Sequence, residues 1–266
     1  MIRNRLPRLA TLVLSIFFGL SLFAPLPYVV LTPGSAQDVL AKVITPSKKS
    51  SVTPTFYPAD GKIYLLSILI TNPSAYVTGA ELIYSWMRSD YAVMPRSFFY
   101  KDGRSADVEE KLAKTEMVDS QLSAKVAALN YLAKNYPQLD SAKIAPSDIE
   151  ISLAKTGGPS GGLAFAIGII ELLTPGNILK GRVVATTVTI DEKGMVGSIR
   201  GVAEKILAAH KAGATLFLVP ENNCDDLAPG LANIPEGIKI AAVSSLEEAM
   251  TALNSNRPRG CANLGA

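Results

Sequence analysis

Asp148-Ile-Glu-Ile-Ser-Leu153, Thr156-Gly-Gly-Pro-Ser-Gly-Gly162 and Leu163-Ala-Phe-Ala-Ile-Gly-Ile-Ile170 follow one another as strand, glycine turn and apolar helix. The first segment alternates polar and apolar side chains, as a half-buried strand does. The turn delivers Ser160 to the first turn of the helix. A helix start carries N–H groups without intrahelical partners, and these can hold an oxyanion. Glycines on both sides of Ser160 let backbone approach a ligand closely. A serine there also fits a plain helix cap, so the turn alone does not make a nucleophile.

The pattern continues on both sides. Downstream, Arg182-Val-Val-Ala-Thr-Thr-Val-Thr-Ile190 reads as a β-branched strand, Asp191-Glu-Lys-Gly194 as its turn and Met195-Val196 as the start of the return strand. A helix, Gly201 to His210, stops at Gly213; strands Thr215–Pro220 and Ile238–Val243 follow, then a helix from Ser245 to Leu253 capped by Ser244 or Ser245. Upstream, Lys62–Ile70 is a strand and Ala80–Trp86 a helical turn, and Ser105–Val108 opens an acidic helix. Between Met117 and Lys134, Val118, Leu122, Val126, Leu129 and Leu132 fall at helical spacing, and Pro137 closes that helix. This is an α+β fold (α/β with mixed sheets) over residues 60–254. Residues 32–59, punctuated by prolines, read as a linker or lead-in, and 255–266 as a disordered tail.

Leu9 to Ala24 is uncharged, and the apolar run continues through Pro25 to Leu31. Sixteen uncharged residues fall short of the ~20 that span hydrocarbon; the tail to Leu31 makes up the difference. Residues 1–31 are thus expected to form a basic stub and an N-terminal transmembrane anchor. A cleaved signal peptide fits the same features, although Leu22-Phe-Ala24 offers no small-x-small site. Arg3, Arg5 and Arg8 precede the span, which puts the N-terminus in the cytoplasm and the rest outside the membrane.

A net charge of +3 gives no argument for nucleic acid. The sole histidine, His210, excludes arrangements needing two and fits a surface role; no Cys or His cluster builds a metal site. Cys224 and Cys261 read as independent thiols or a non-essential staple. There is no G-x-x-x-x-G-K-[ST] loop, so no cofactor is expected and ATP use has no basis in this chain.

An activated serine needs a base. Around Lys205 the helical neighbours Gly201, Val202, Ala208 and Ala209 are small or apolar. Loss of water on such a face lowers a lysine's pKa, as a general base requires. Lys211 has a similar setting, and local physics does not choose between them.

The run from Asp148 through Gly-Gly-Pro-Ser-Gly-Gly162, with Gly194-Met-Val-Gly-Ser-Ile-Arg-Gly-Val-Ala-Glu-Lys-Ile-Leu-Ala-Ala-His210 and Leu216-Phe-Leu-Val-Pro-Glu-Asn-Asn-Cys224, resembles the proteolytic domain of Lon-type serine proteases. That family places its nucleophile in Pro-Ser-Ala-Gly and its base in a Lys/Glu-Lys-x-Leu-Ala-Ala helix. The resemblance implies Ser160 and Lys205 as a catalytic dyad, backbone N–H groups of Ser160 and Gly161 as oxyanion donors, and Thr187 as the hydroxyl that orients the base. Thr186 and Thr189 are alternatives to Thr187, and β-propensity explains all three equally well.

Pro25-Leu-Pro-Tyr-Val-Val-Leu-Thr-Pro-Gly-Ser-Ala36, Met117-Val-Asp-Ser-Gln121 and Leu172-Leu-Thr-Pro-Gly176 resemble a membrane-anchored Lon-like group more closely still. That group usually carries a PDZ domain before the serine strand, where this chain has only Pro137 to Ser147; Gly161 replaces the family alanine and Gly157 Lon's acidic residue. The resemblance implies an ATP-independent serine endopeptidase acting on unfolded or membrane-proximal polypeptides, with the cytoplasmic membrane as partner and a homo-oligomeric ring as its assembly. The competing expectation is an inactive anchored scaffold; a signal-peptidase-like Ser/Lys enzyme fits the glycine-Pro-Ser context less well.

Overall fold

A computed structural model describes residues 7–50, 52–101, 104–139, 141–153, 158–227 and 234–261. The chain divides into two compact units: Met1–Thr32 with Leu69–Glu109, and Pro33–Ile68 with Glu110–Ala266.

The larger unit is built on parallel strands. Lys62–Ile70 pairs with Val183–Thr186, that strand with Leu216–Pro220, and the last with Lys239–Val243. The register aligns Tyr64 with Ala185 and Ala185 with Phe217. Alternate residues enter different cores, because successive side chains of a strand point to opposite faces. Ile63, Leu65, Val184, Leu216, Leu218, Ala241 and Val243 belong to one cluster. Leu66, Ala185, Phe217, Val219 and Ala242 belong to the other. A parallel sheet covered on both faces is therefore nearly continuous in apolar residues.

The first face carries the helix Gly162–Leu173, the helix Leu246–Asn254 and the later turns of Ala106–Asn135. The second carries Val202–Lys211 and the short helix Cys224–Leu227. Every residue of Gly162–Leu173 is buried, including Glu171, whose carboxylate accepts the Ile178 N–H at 3.0 Å. Burial raises the pKa of that carboxyl.

Several expectations change in detail. The acidic opening near Ser105 and the Met117–Lys134 helix are one helix, Ala106–Asn135. Its core face keeps only the C-terminal part of the expected stripe: Leu129 and Leu132 are buried, Val118 and Leu122 are exposed, and Met117, Ala124, Ala127 and Ala128 complete the buried face. Small alanines allow close approach, and spacing alone did not give them weight. The strand expected from Arg182 to Ile190 breaks after Thr186, and Thr189–Ile190 pairs instead with Val196–Gly197 around the Asp191–Gly194 turn. The lead-in 32–59 contributes the strand Ile44–Pro46, paired with Ile149–Ile151, and buries Val39, Val43 and Ile44.

Cys224 and Cys261 form a disulfide, not two independent thiols. With Ala242 N–H bonded to the Arg259 carbonyl at 2.9 Å, it fixes the segment leading to Cys261. Residues 255–261 of the expected disordered tail are thus tied to the domain, and 262–266 lie outside the described residues.

The smaller unit contains the helix Arg8–Phe23, the helix Gly79–Trp86 and two short strand pairings, Pro25–Leu26 with Val77–Thr78 and Tyr28–Leu31 with Ala92–Pro95. Thr78 caps the second helix through a reciprocal box with Glu81. The expected helical span through Leu31 is corrected: the helix stops at Phe23 because Pro25 and Pro27 lack the N–H that would continue it. Among the described residues no helix is long and apolar enough to cross a membrane.

Candidate active site

The segment opening the serine turn, Ala154 to Gly157, lies outside the described residues and takes with it the expectations for Thr156 and Gly157. From Gly158 on the turn is held at successive points. Gly158 has φ +90°, a left-handed conformation that favours glycine, and its N–H donates to the Ala113 carbonyl at 2.9 Å. The buried Ser120 hydroxyl donates to the Pro159 carbonyl at 2.7 Å. The Leu163 N–H donates to the Val188 carbonyl at 3.0 Å, so the helix starts against the chain leaving the Val183–Thr186 strand. A Cβ on Gly162 would lie 2.9 Å from the Ile190 nitrogen, so this contact requires glycine.

Gly161 is tighter than its sequence suggests. A Cβ there would lie 2.6 Å from the ring of Phe165, which is fully buried. The space of the family alanine's methyl is filled by that ring, so glycine here is a packing solution. Among the described residues no backbone acceptor engages the N–H groups of Ser160 and Gly161.

Lys205 lies in the first turns of the helix Val202–Lys211 and is 4% exposed. Lys211, its rival on sequence grounds, is exposed, as is His210. Burial lowers the Lys205 pKa from 10.5 to about 8, with the neighbouring Glu204 carboxylate pulling the other way. The helix follows Gly201, at φ 68°, and has no side-chain cap.

Both helices run against the strands. The Thr215 N–H, just beyond the lysine helix, bonds the Val183 carbonyl at the amino edge, and Val183 begins its strand. The lysine helix therefore starts at the carboxyl edge, where Leu163 meets Val188. Ser160 and Lys205 reach this edge from opposite faces of the sheet, where open α/β sheets place their sites. Thr187 is fully buried and lies immediately after the strand.

No hydrogen bond joins Ser160 Oγ, Lys205 Nζ and Thr187 Oγ1 to one another. Thr187 donates to the Leu66 carbonyl at 3.4 Å, and Thr186 to the Leu218 carbonyl at 3.2 Å. Thr189 lies in the hairpin beside Gly197. Among the described residues no group of three His, Cys, Asp or Glu side chains is placed to hold a metal.

Residues 101–255 match the family described as the Lon protease (S16) C-terminal proteolytic domain. The chain belongs to that family. It is similar to the Lon protease of Haemophilus influenzae, 37% identical over 103 residues, which is 39% of this chain and 13% of that protein. Lon protease 2 of Herpetosiphon aurantiacus is 34% identical over 130 residues, covering 47% of this chain and 16% of that protein. The Lon protease of Escherichia coli K12 is 37% identical over 103 residues, again 39% and 13%. The chain thus spans about one seventh of the length of these relatives.

Two residues of this Lon-type domain that support the site were not singled out from sequence. Ser120 lies within the quoted Met117–Gln121 segment, and its polarity on a core-facing turn was the available signal. Asn223, in Pro-Glu-Asn-Asn-Cys224, binds the Ile199 backbone through both ends of its carboxamide. Nothing in linear spacing connects it to residue 199.

Proposed function

We propose that this chain is an ATP-independent serine endopeptidase with a Ser160–Lys205 dyad. The observation that carries the reading is a lysine buried to 4% exposure, with pKa about 8, in a helix that starts at the edge where Ser160 precedes the Gly161 cap of the helix Gly162–Leu173, one residue short of the first turn expected from sequence. At pH 7 such a lysine is neutral about one time in ten, against about one in several thousand at its ordinary pKa. Neutral Lys205 takes the Ser160 proton as the oxygen attacks a peptide carbonyl. The Ser160 and Gly161 N–H groups receive the developing oxyanion. The ammonium then protonates the leaving amine, and a water deprotonated by Lys205 releases the acyl group. Thr187, with lone pairs left over after donating to Leu66, accepts from Nζ and turns it toward Ser160.

Within the family we infer a likeness to the membrane-anchored Lon-like group, on the Pro25–Ala36, Met117–Gln121 and Leu172–Gly176 segments, with Pro137 to Ser147 where that group carries its PDZ domain. Its substrates are accordingly unfolded or membrane-proximal polypeptides, and its assembly a ring of identical copies. We place it on the outer side of the cytoplasmic membrane, held by its N-terminal helix. Leu9, Leu12, Ile16, Phe17, Phe18 and Leu20 are all more than half exposed on that helix. In the same unit Tyr84 and Trp86 are exposed too, the amphipathic ring type that favours a membrane interface.

The rival reading is an inactive anchored scaffold, favoured by the lack of a direct Ser160–Lys205 hydrogen bond. Full-length chain in detergent, incubated with unfolded casein, separates the two. Wild type cuts, and Ser160→Ala and Lys205→Ala do not; equal cleavage by Ser160→Ala discards the dyad. Extraction of membranes with alkaline carbonate tests the anchor: release of the intact chain into the supernatant refutes it.

A further inference from the structure

The lysine helix has no cap of its own, so something else must fix where it begins. That something is two residues upstream of Gly201. The Asn223 side chain, 3% exposed, accepts the Ile199 N–H on Oδ1 at 2.9 Å and donates Nδ2–H to the Ile199 carbonyl at 2.9 Å. One carboxamide thus satisfies both backbone groups of a single buried residue, as a neighbouring strand would. Nδ2 also donates to the Asp226 carboxylate, which sets the amide's orientation, because a flipped amide would face a donor with a donor. Ile199 packs in one cluster with Val202, Ile206 and Cys224. The residue following Asn223 is tied by its disulfide to Cys261, so the clamp is braced from the C-terminal segment.

We propose that Asn223 is a positioning residue for Lys205: it pins Ile199 so that the lysine helix begins at the carboxyl edge with its amine held away from water. The proposal rests on the Ser160–Lys205 reading. Without the clamp, Ile199–Gly201 separates from the Cys224 segment and the first turn of the helix gains water. The amine then binds its proton more tightly, and less of the enzyme carries a neutral base.

The test uses full-length chain in detergent as wild type, Asn223→Ala, Asn223→Asp and Glu221→Ala. Asn223→Asp keeps an acceptor for the Ile199 N–H and loses the donor to its carbonyl. Glu221→Ala removes an exposed partner of Arg259 on the same segment and is the control. Casein-peptide cleavage is followed across pH, and hydrogen exchange of the Ile199–Lys205 amides is compared with that of the Leu216–Pro220 strand. The expected result is a kcat lower by about ten-fold or more in Asn223→Ala. KM stays within about two-fold, and the pH limb rises by about one unit. Exchange accelerates at 199–205 only, and Asn223→Asp, which sets a buried carboxylate against the Asp226 carboxylate and the Ile199 carbonyl, is impaired at least as much as Asn223→Ala. Glu221→Ala stays within about two-fold of wild type.

A folded Asn223→Ala with wild-type kcat and pH limb overturns the proposal. So does acceleration of exchange in both segments or loss of folding in both Asn223 variants, since that assigns the residue to general stability. If wild type and Ser160→Ala are equally inactive, the dyad reading has failed. The exchange pattern then decides the clamp alone: unchanged protection at 199–205 in Asn223→Ala removes it.

Discussion

Replacing Lys205 with methionine should make the protein more stable at neutral pH while abolishing its activity. The amine's pKa falls from 10.5 in water to about 8 in the fold because its charged form is desolvated. At about 1.36 kcal/mol per pH unit, the native state gives up roughly 3 kcal/mol by holding the ammonium there. The sign follows from proton linkage. Between pH 8 and 10.5 the unfolded chain binds more protons than the native one, so stability increases with pH. Below that window the lysine is charged in both states and the penalty is complete; above it the lysine is neutral in both and the penalty vanishes. Methionine fills a similar volume with no charge to bury. Urea unfolding of wild type and Lys205→Met at about pH 7 and about pH 10.5 reads the difference directly, and other titrating groups cancel between the two proteins. The variant should lead by roughly 3 kcal/mol at the lower pH and by little at the higher. A Lys205→Met variant less stable than wild type at neutral pH, or a gap that does not change with pH, would refute the reasoning.

Gly161→Ala should destabilise the domain by about 1–3 kcal/mol, because its methyl would press on the Phe165 ring. Combining it with Phe165→Leu should recover part of that loss, and a thermal-melt double-mutant cycle measures the coupling. Replacing Cys224 and Cys261 with serine opens a loop with a sequence separation of 37 and should lower stability by roughly 4 kcal/mol. Urea titration under oxidising conditions checks this, and an unchanged midpoint would show that the staple adds nothing.

Much of the fold was legible in the sequence where periodicity and punctuation agreed. The Lys62–Ile70, Leu216–Pro220 and Lys239–Val243 strands carry short apolar runs, and Ser245 caps its helix through the Glu248 N–H. The break after Thr186 was not legible: Thr187 and Val188 are as β-prone as their neighbours, and only tertiary bonds to Leu66 and Leu163 take them out of the strand. The alanine face of Ala106–Asn135 was missed because a small residue weighs little in a hydrophobic pattern yet packs closely. The N-terminal apolar run was read by composition through two prolines that end its helix at Phe23. At the site, Ser160 and Lys205 were identified by resemblance, and burial then separated Lys205 from Lys211. Asn223 and the Cys224–Cys261 disulfide join points far apart in the chain, and no local pattern encodes such contacts.

The most direct test of the central claim is the pH dependence of serine acylation. Wild type and Lys205→Ala are treated with a fluorophosphonate across about pH 6 to about pH 10, and intact and peptide masses follow the adduct. The account requires the label on Ser160, a labelling rate that climbs with an apparent pKa of about 8, and almost no labelling without the lysine. An adduct at another residue, or a Ser160 labelling rate in Lys205→Ala equal to that of wild type at every pH, would contradict it.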